Sequence, residues 1–107
     1  MILFDDFKKL DIRIGKILSA EKIEESEKLL KLEVDLGEEE NRQIIAGISK
    51  YVEPGDIVGM QIPILANLAS RQIMGYESQG MILAVSDESG LSLMHPAREV
   101  SPGSSVG

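Results

Sequence analysis

Leu30, Leu32, Val34 and Leu36 alternate with Lys31, Glu33 and Asp35 without a break. Only a β-strand turns such a run into one apolar and one polar face, because successive side chains point to opposite sides. Leu30 and Leu32 then face a core and Lys31 faces solvent. A second alternation sets Leu10, Ile12 and Ile14 against Asp11 and Arg13, and its parity slips at Gly15, since the next apolar pair is Ile17 and Leu18. A glycine at a parity slip predicts a bulge or a sharp bend in a long strand. A long, bent first strand is what a sheet needs to curl into a barrel.

The remaining pattern fits that architecture. Phe4, Phe7 and Leu10 stand three apart and predict one or two helical turns, read as a lid on one end of the core. Glu24 to Lys28 is a polar connection, Gly37 to Asn41 a turn, and Gln43 to Ala46 a third strand paired to the second as a hairpin. Between Gly47 and Gly59, Ile48, Tyr51 and Val52 fit one helical turn ahead of a Pro54-Gly55 turn. Met60, Ile62, Ile64 and Ala66 alternate as a fourth strand, with Pro63 on the opposite parity, which calls for an edge or a bulge. Asn67 to Gln79 reads as a polar loop, Met81 to Val85 as a buried strand, and Leu91, Leu93 and the tail to Val106 as one more extended segment. The expected class is all-β: a five-stranded barrel with a short N-terminal helix, a small helix between strands three and four, and a C-terminal extension. The OB-fold has that element order; from pattern alone an SH3-like barrel or a small sandwich stays open.

At 107 residues the chain, 1–107, has the size of one domain. No apolar run is long enough to cross a membrane, and no basic leader with an apolar core opens the chain. The expectation is a soluble, cytoplasmic protein. The absence of cysteine removes disulfides, thiolate catalysis and Cys-ligated zinc. His95 is the one histidine, so a His-rich metal site is excluded, and no serine sits in a G-x-S-x-G elbow. Gly47-Ile48-Ser49-Lys50 lacks the flanking glycines of a phosphate loop. No cofactor is expected, and a binding module is the better reading than an enzyme. The net charge of −7 argues against indiscriminate nucleic-acid binding, although the acid is clumped at Glu24, Glu25 and Glu27 and at Glu38 to Glu40. Four aromatic residues and no tryptophan offer no platform for stacking a single strand.

Several phrases nevertheless stand in a telling order. They are Asp11-Ile12-Arg13-Ile14-Gly15-Lys16-Ile17, Ser26-Glu27-Lys28-Leu29-Leu30-Lys31-Leu32, Arg42-Gln43-Ile44-Ile45-Ala46-Gly47-Ile48, Ala66-Asn67-Leu68, Gly75 to Ala84 with Glu77-Ser78-Gln79-Gly80-Met81 at its centre, and Pro102-Gly103-Ser104. In this order the chain resembles the tRNA-binding domain family, which takes in a free-standing structure-specific tRNA-binding protein and the C-terminal or beta-subunit domain of methionyl-tRNA synthetase. The resemblance implies an OB-fold, a homodimer, and binding to the outer corner of folded tRNA by shape, alone or alongside a methionyl-tRNA synthetase. A reader of folded RNA needs phosphate and 2′-OH contacts more than rows of aromatics.

Carried over by matched positions, the resemblance implies a tRNA-binding set of Lys28, Lys31, Arg42, Asn67, Arg71, Ser78, Gln79 and Met81. The cations would meet phosphates. Asn67, Ser78 and Gln79 would meet 2′-hydroxyls or base edges, and Met81 would give a soft apolar contact. Charge reversal of Lys31 and Arg42 is expected to weaken RNA binding without unfolding the chain. The set departs from the family where Ala69-Ser70 stand in place of Lys-Pro, Gln72 replaces a basic residue, and Tyr76 replaces a small aliphatic one. About three or four phosphate contacts would give a log–log salt slope near −3. A second reading is a protein-binding chaperone or assembly module on the same fold, as in an export-related relative; net acidity and the missing lysines favour it, the Ser-Glu-Lys-Leu and Glu-Ser-Gln-Gly-Met phrases oppose it. The dimer surface is expected at Leu91–Val106, which exceeds what a five-stranded barrel requires.

Overall fold

A computed structural model describes residues 1–107. Its elements are α1 (Phe4–Phe7), β1 (Ile12–Lys22), β2 (Leu30–Asp35), β3 (Arg42–Ala46), α2 (Pro54–Ile57), β4 (Gln61–Leu65), β5 (Arg71–Ile73), β6 (Tyr76–Ser78), β7 (Met81–Ile82), β8 (Ala84–Asp87) and β9 (Gly90–Leu93). The main sheet runs β3-β2-β1-β4-β7, all antiparallel, and β5-β6 and β8-β9 are separate hairpins. The five strands curl into a nearly closed OB-like barrel. No helix is long and apolar enough to cross a membrane.

β1 makes the curl possible, because its first half pairs with β4 and its second half with β2. One local feature bends it. The register slips between Ile17 and Ser19, so the bulge falls at Leu18 rather than at Gly15. Gly15 serves close packing instead: a Cβ there would lie 2.5 Å from Val34 Cγ1 and 3.0 Å from Leu36 Cδ2. The interior is filled from both sides of this bend by Ile17, Leu30, Leu32, Val34, Leu36, Ile44, Ile48, Ile62 and Ile64, all essentially inaccessible. Lys31 stands on the outer face of β2, as its parity requires.

β4 is covered on both faces, which its alternation did not suggest. Gln61 and Pro63 are hidden beneath other chain, and Gln61 exchanges two hydrogen bonds with the backbone of Val100. Opposite Pro63, Ile14 directs its own N–H and C=O to Ser104 and Gly103 of the tail. The imide nitrogen therefore points away from β1, toward the side where β7 pairs only with Ile64 and Leu65.

Several expectations are corrected. α1 exists but is no lid: Phe4 is 72% exposed and Leu10 is also exposed. Asp6 accepts the Leu3 N–H at 3.1 Å, which closes the turn without burying it. The helical turn expected at Ile48 to Val52 is present, since the Tyr51 and Val52 N–H groups donate to Ile48 O at 2.9 and 3.3 Å, but Pro54-Gly55 opens the further helix α2 rather than a turn, because proline suits the first helical position. The polar loop 67–79 holds a hairpin, with φ of +50° at Met74 and +84° at Gly75, the paired positive values of a two-residue turn. The buried strand 81–85 is two strands, and Met81 and Val85 are exposed. The tail is irregular; it crosses β1 through an Arg13–Ser105 bridge and a Val106 N–H to Ile12 O bond of 2.8 Å.

Gly15→Ala is expected to cost about 1–3 kcal/mol, the usual penalty for forcing a methyl into a packed core. Urea unfolding should show a lower midpoint at unchanged slope.

Candidate nucleic-acid interface

β3 is an edge strand of the main sheet, and its free edge faces residues 77–80. Side chains build the closure. Ser78 Oγ accepts the Ile45 N–H at 3.0 Å and donates to Gly80 O at 3.2 Å. Gln79 Oε1 accepts the Gln43 N–H at 2.9 Å while Gln79 N–H donates to Gln43 O at 2.8 Å. Gln43 Nε2 donates to Glu77 O at 2.9 Å. An edge strand left bare would invite pairing with another chain, and here it is covered.

Arg42 locks the upper end of the same seam. Its Nη1 donates to Ala66 O at 2.6 Å and to Gln79 O at 3.0 Å, and its Nε and Nη2 grip both oxygens of Glu38 at 2.7 and 2.8 Å. Hydrogen bonding from Arg42 holds the Glu38 carboxyl below the ordinary carboxylate range. Asp11 is lowered in the same way by Arg13, which bonds it at 2.9 and 2.8 Å. Asn67 is likewise engaged: it accepts the Asp11 N–H at 2.9 Å and donates to Lys9 O at 2.7 Å.

The implied set therefore divides. Lys31, Arg42 and Gln79 line one polar groove of about 340 Å³ with Glu21, Glu33 and Gln43. Arg71 and Met81 line a neighbouring apolar hollow of similar volume, floored by Ile45, Ile73 and Ile82. Gln43 and Ile45 are two residues apart on β3, so the two depressions adjoin, roughly 7 Å apart along the strand. Lys28 stands exposed one residue before Leu29, which reaches that hollow. Lys28, Arg71 and Met81 present their side chains to solvent, whereas Ser78 is buried and Arg42 and Asn67 spend their donors on backbone carbonyls.

The placement of Arg42 corrects one expectation. Reversing its charge would set a carboxylate against Glu38 and two carbonyl oxygens, so the fold would suffer before any RNA contact did. The sequence also hid two neighbours. Glu21 lies opposite Lys31 across the strands and takes its ammonium at 2.7 Å, and hydrogen bonding to Glu21 raises the lysine above its ordinary range. The same ammonium lies 5.5 Å from the Tyr76 ring centroid. The Glu21–Lys31 register depends on the Leu18 bulge, which alternation alone does not count.

The sequence profile described as "Putative tRNA binding domain" matches residues 12–105. The chain belongs to that family. The matched description is that of a binding domain. Across 107 residues, 99% of the chain, it is 52% identical to a methionine–tRNA ligase of Methanococcoides burtonii, but it spans only 16% of that protein's length. Among solved structures it is similar to a MetRS-related protein from Pyrococcus horikoshii, with 34% identity and a TM-score of 0.93 over 100% of this chain and 98% of that one. It is also similar to the chaperone CsaA of Bacillus anthracis, with 31% identity and a TM-score of 0.89 over 100% and 99% of the two chains.

Glu38 with a lowered folded-state pKa contributes stability above the ordinary carboxylate range, and that contribution is lost as pH falls through its folded value. Arg42→Gln should therefore be less stable than the parent at neutral pH, and the gap should narrow below about pH 4. Urea titrations at pH 7, 5 and 3 read this directly. A residual gap at pH 3 reflects the two carbonyl bonds.

Proposed function

We propose that this chain, acting as one unit over 1–107 in the cytoplasm, binds the outer corner of folded tRNA by shape. It would serve either alone or as the tRNA-binding part of a methionyl-tRNA synthetase. The observation that carries this reading is the adjoining polar groove and apolar hollow along β3, rimmed by Lys28, Lys31 and Arg71 in a member of a tRNA-binding family. Lys28, Lys31 and Arg71 meet phosphates, and Met81 contacts a ribose or base. Gln79, with its amide turned to β3, offers its flank to the groove, and Arg42, Asn67 and Ser78 act by holding the surface in shape.

Filter binding of folded tRNA against a random RNA duplex, at rising salt, tests the proposal. Folded tRNA should bind more tightly, with a log–log slope near −3, and Lys28→Gln or Arg71→Gln should each reduce that slope by about 1. Equal affinity for both RNAs overturns the reading. Glu21→Gln releases Lys31 from its ion pair and should strengthen tRNA binding several-fold at low salt, an advantage that fades as salt screens it.

A second reading, a chaperone or assembly module, is favoured by the likeness to CsaA and by the net charge of −7. Protection of an unfolded client from aggregation without any tRNA complex would establish it instead.

A homodimer belongs to the same proposal. The tail expected to form its surface has spent backbone groups on β1, through Gly103, Ser104 and Val106. That segment still exposes the side chains of Met94 and Val106, and the first ten residues add Met1, Ile2, Leu3, Phe4 and Leu10 as exposed apolar groups. Sedimentation at micromolar concentration should show a dimer that Phe4→Glu converts to monomer.

A further inference from the structure

Most cations of this acid-rich surface form no ion pair, and two of the unpaired ones share a hollow away from β3. Eighteen carboxylates surround eleven lysines and arginines, yet only Lys9, Arg13, Lys31 and Arg42 form ion pairs. Lys16 and Arg98, both unpaired, line one open hollow of about 480 Å³ together with His95, the only imidazole in the chain. Gln61 holds this hollow in shape. It is only 8% exposed, its Nε2 donates to Val100 O, and its Oε1 accepts the Val100 N–H at 2.9 Å. That two-way amide clamp pins the segment carrying His95 and Arg98 against β4, opposite Lys16 on β1. His95 Nδ1 lies 3.2 Å from Pro96 O, which leaves Nε2 without a protein partner. Glu99 also lines the hollow, and Asp35 faces Lys16 across β2, but neither pairs with a cation there.

We infer that this hollow binds a phosphate group, gripped by Lys16 and Arg98 with the His95 ring at its side. Lys16 and Arg98 bring two positive charges to the hollow against the one carboxylate of Glu99, and neither cation is tied up in an ion pair. Arg98 donates from Nη1 to Glu99 O at 3.1 Å and has its other donors left for a ligand, and an oxyanion with several acceptors suits a guanidinium and an ammonium lining one hollow. The site is separate from the groove at Lys31, since Lys16 lies five β1 residues from Glu21, roughly 17 Å along the strand. The phosphate belongs either to the backbone of a bound RNA or to a free phosphate monoester. The inference does not rest on the tRNA reading.

Inorganic phosphate titrated into the labelled protein, followed by amide proton–nitrogen correlation spectra, should displace the signals of Lys16, Gln61, His95 and Arg98. Lys16→Gln with Arg98→Gln should weaken that binding about tenfold or more, the scale of lost charged hydrogen bonds, while Lys31→Gln leaves it unchanged. No displacement, or the same displacement in the double variant, overturns the site. Folded tRNA then distinguishes the source: a parent salt slope steeper than −3 that the double variant reduces by about 2 assigns the phosphate to the RNA backbone. An unchanged slope with lost phosphate binding assigns it to a free monoester, and both results uphold the hollow. Failure of the tRNA reading shows separately, as wild-type protein that takes phosphate and no tRNA.

Discussion

The barrel depends on a seam that no backbone ladder completes. β3 would present a bare edge, and the hydrogen bonds that cover it come largely from the side chains of Gln43, Ser78 and Gln79, with Arg42 bridging above. A side-chain oxygen can accept a strand N–H where a neighbouring strand has turned away, so the sheet closes despite a β7 of only two residues. Low dielectric makes the arrangement unforgiving, since a buried donor left unpaired costs more than a paired one gains. No buried side-chain nitrogen or oxygen lacks a partner in this chain. The Glu-Ser-Gln-Gly-Met phrase thus has a physical reason for its residue types that owes nothing to a ligand. Ser78 is small enough to be fully buried, Gln79 is long enough to reach β3, and Gly80, at a φ of +148°, would bring a Cβ to 3.2 Å from Leu65 O.

That seam explains which parts of the molecule could be read in advance. β2 was legible because its neighbours lie on both edges and its alternation simply sorts core from solvent. The bend in β1 was legible as an event, but its bulge and its close packing fall on different residues, Leu18 and Gly15, and a parity slip does not separate them. The β5-β6 hairpin was hidden because Met74 occupies a positive-φ position that usually signals itself with Asn, Asp or Gly. β4 was misjudged on one face, since a tail 39 residues later in sequence covers Gln61. Matched positions placed Arg42, Asn67, Ser78 and Gln79 at the interface, and a matched residue type cannot distinguish a donor aimed at a ligand from one aimed at a carbonyl. Burial decides that, and burial is set by packing across the whole chain.

Charge bookkeeping follows the same division. Of the cations near the candidate interface, Arg42 is committed to Glu38 and Lys31 is shared with Glu21 and Tyr76. Lys28 and Arg71 carry no such partner. A polyanion approaching this face must therefore displace Glu21 to gain the full charge of Lys31, and the exchange returns less than a free lysine would. Exposed ion pairs are individually weak, so the exchange is cheap, and it becomes cheaper as salt screens the pair.

A face with so few uncommitted cations cannot hold a folded RNA tightly by charge alone. Each phosphate contact contributes its share of released counterions, and about three contacts leave affinity modest at physiological salt. Two routes raise it without adding base readout. One is covalent continuity with a larger RNA-binding chain, which turns the contact into an intramolecular event. The other is pairing of two copies, which presents two such faces to one RNA. Both act through effective concentration, and both fail if the geometry forbids simultaneous engagement. The exposed apolar N-terminus of Met1 to Phe4 supplies the kind of surface the second route requires. A bare run of this sort is costly in water and gains by being covered, which is the driving force that route needs.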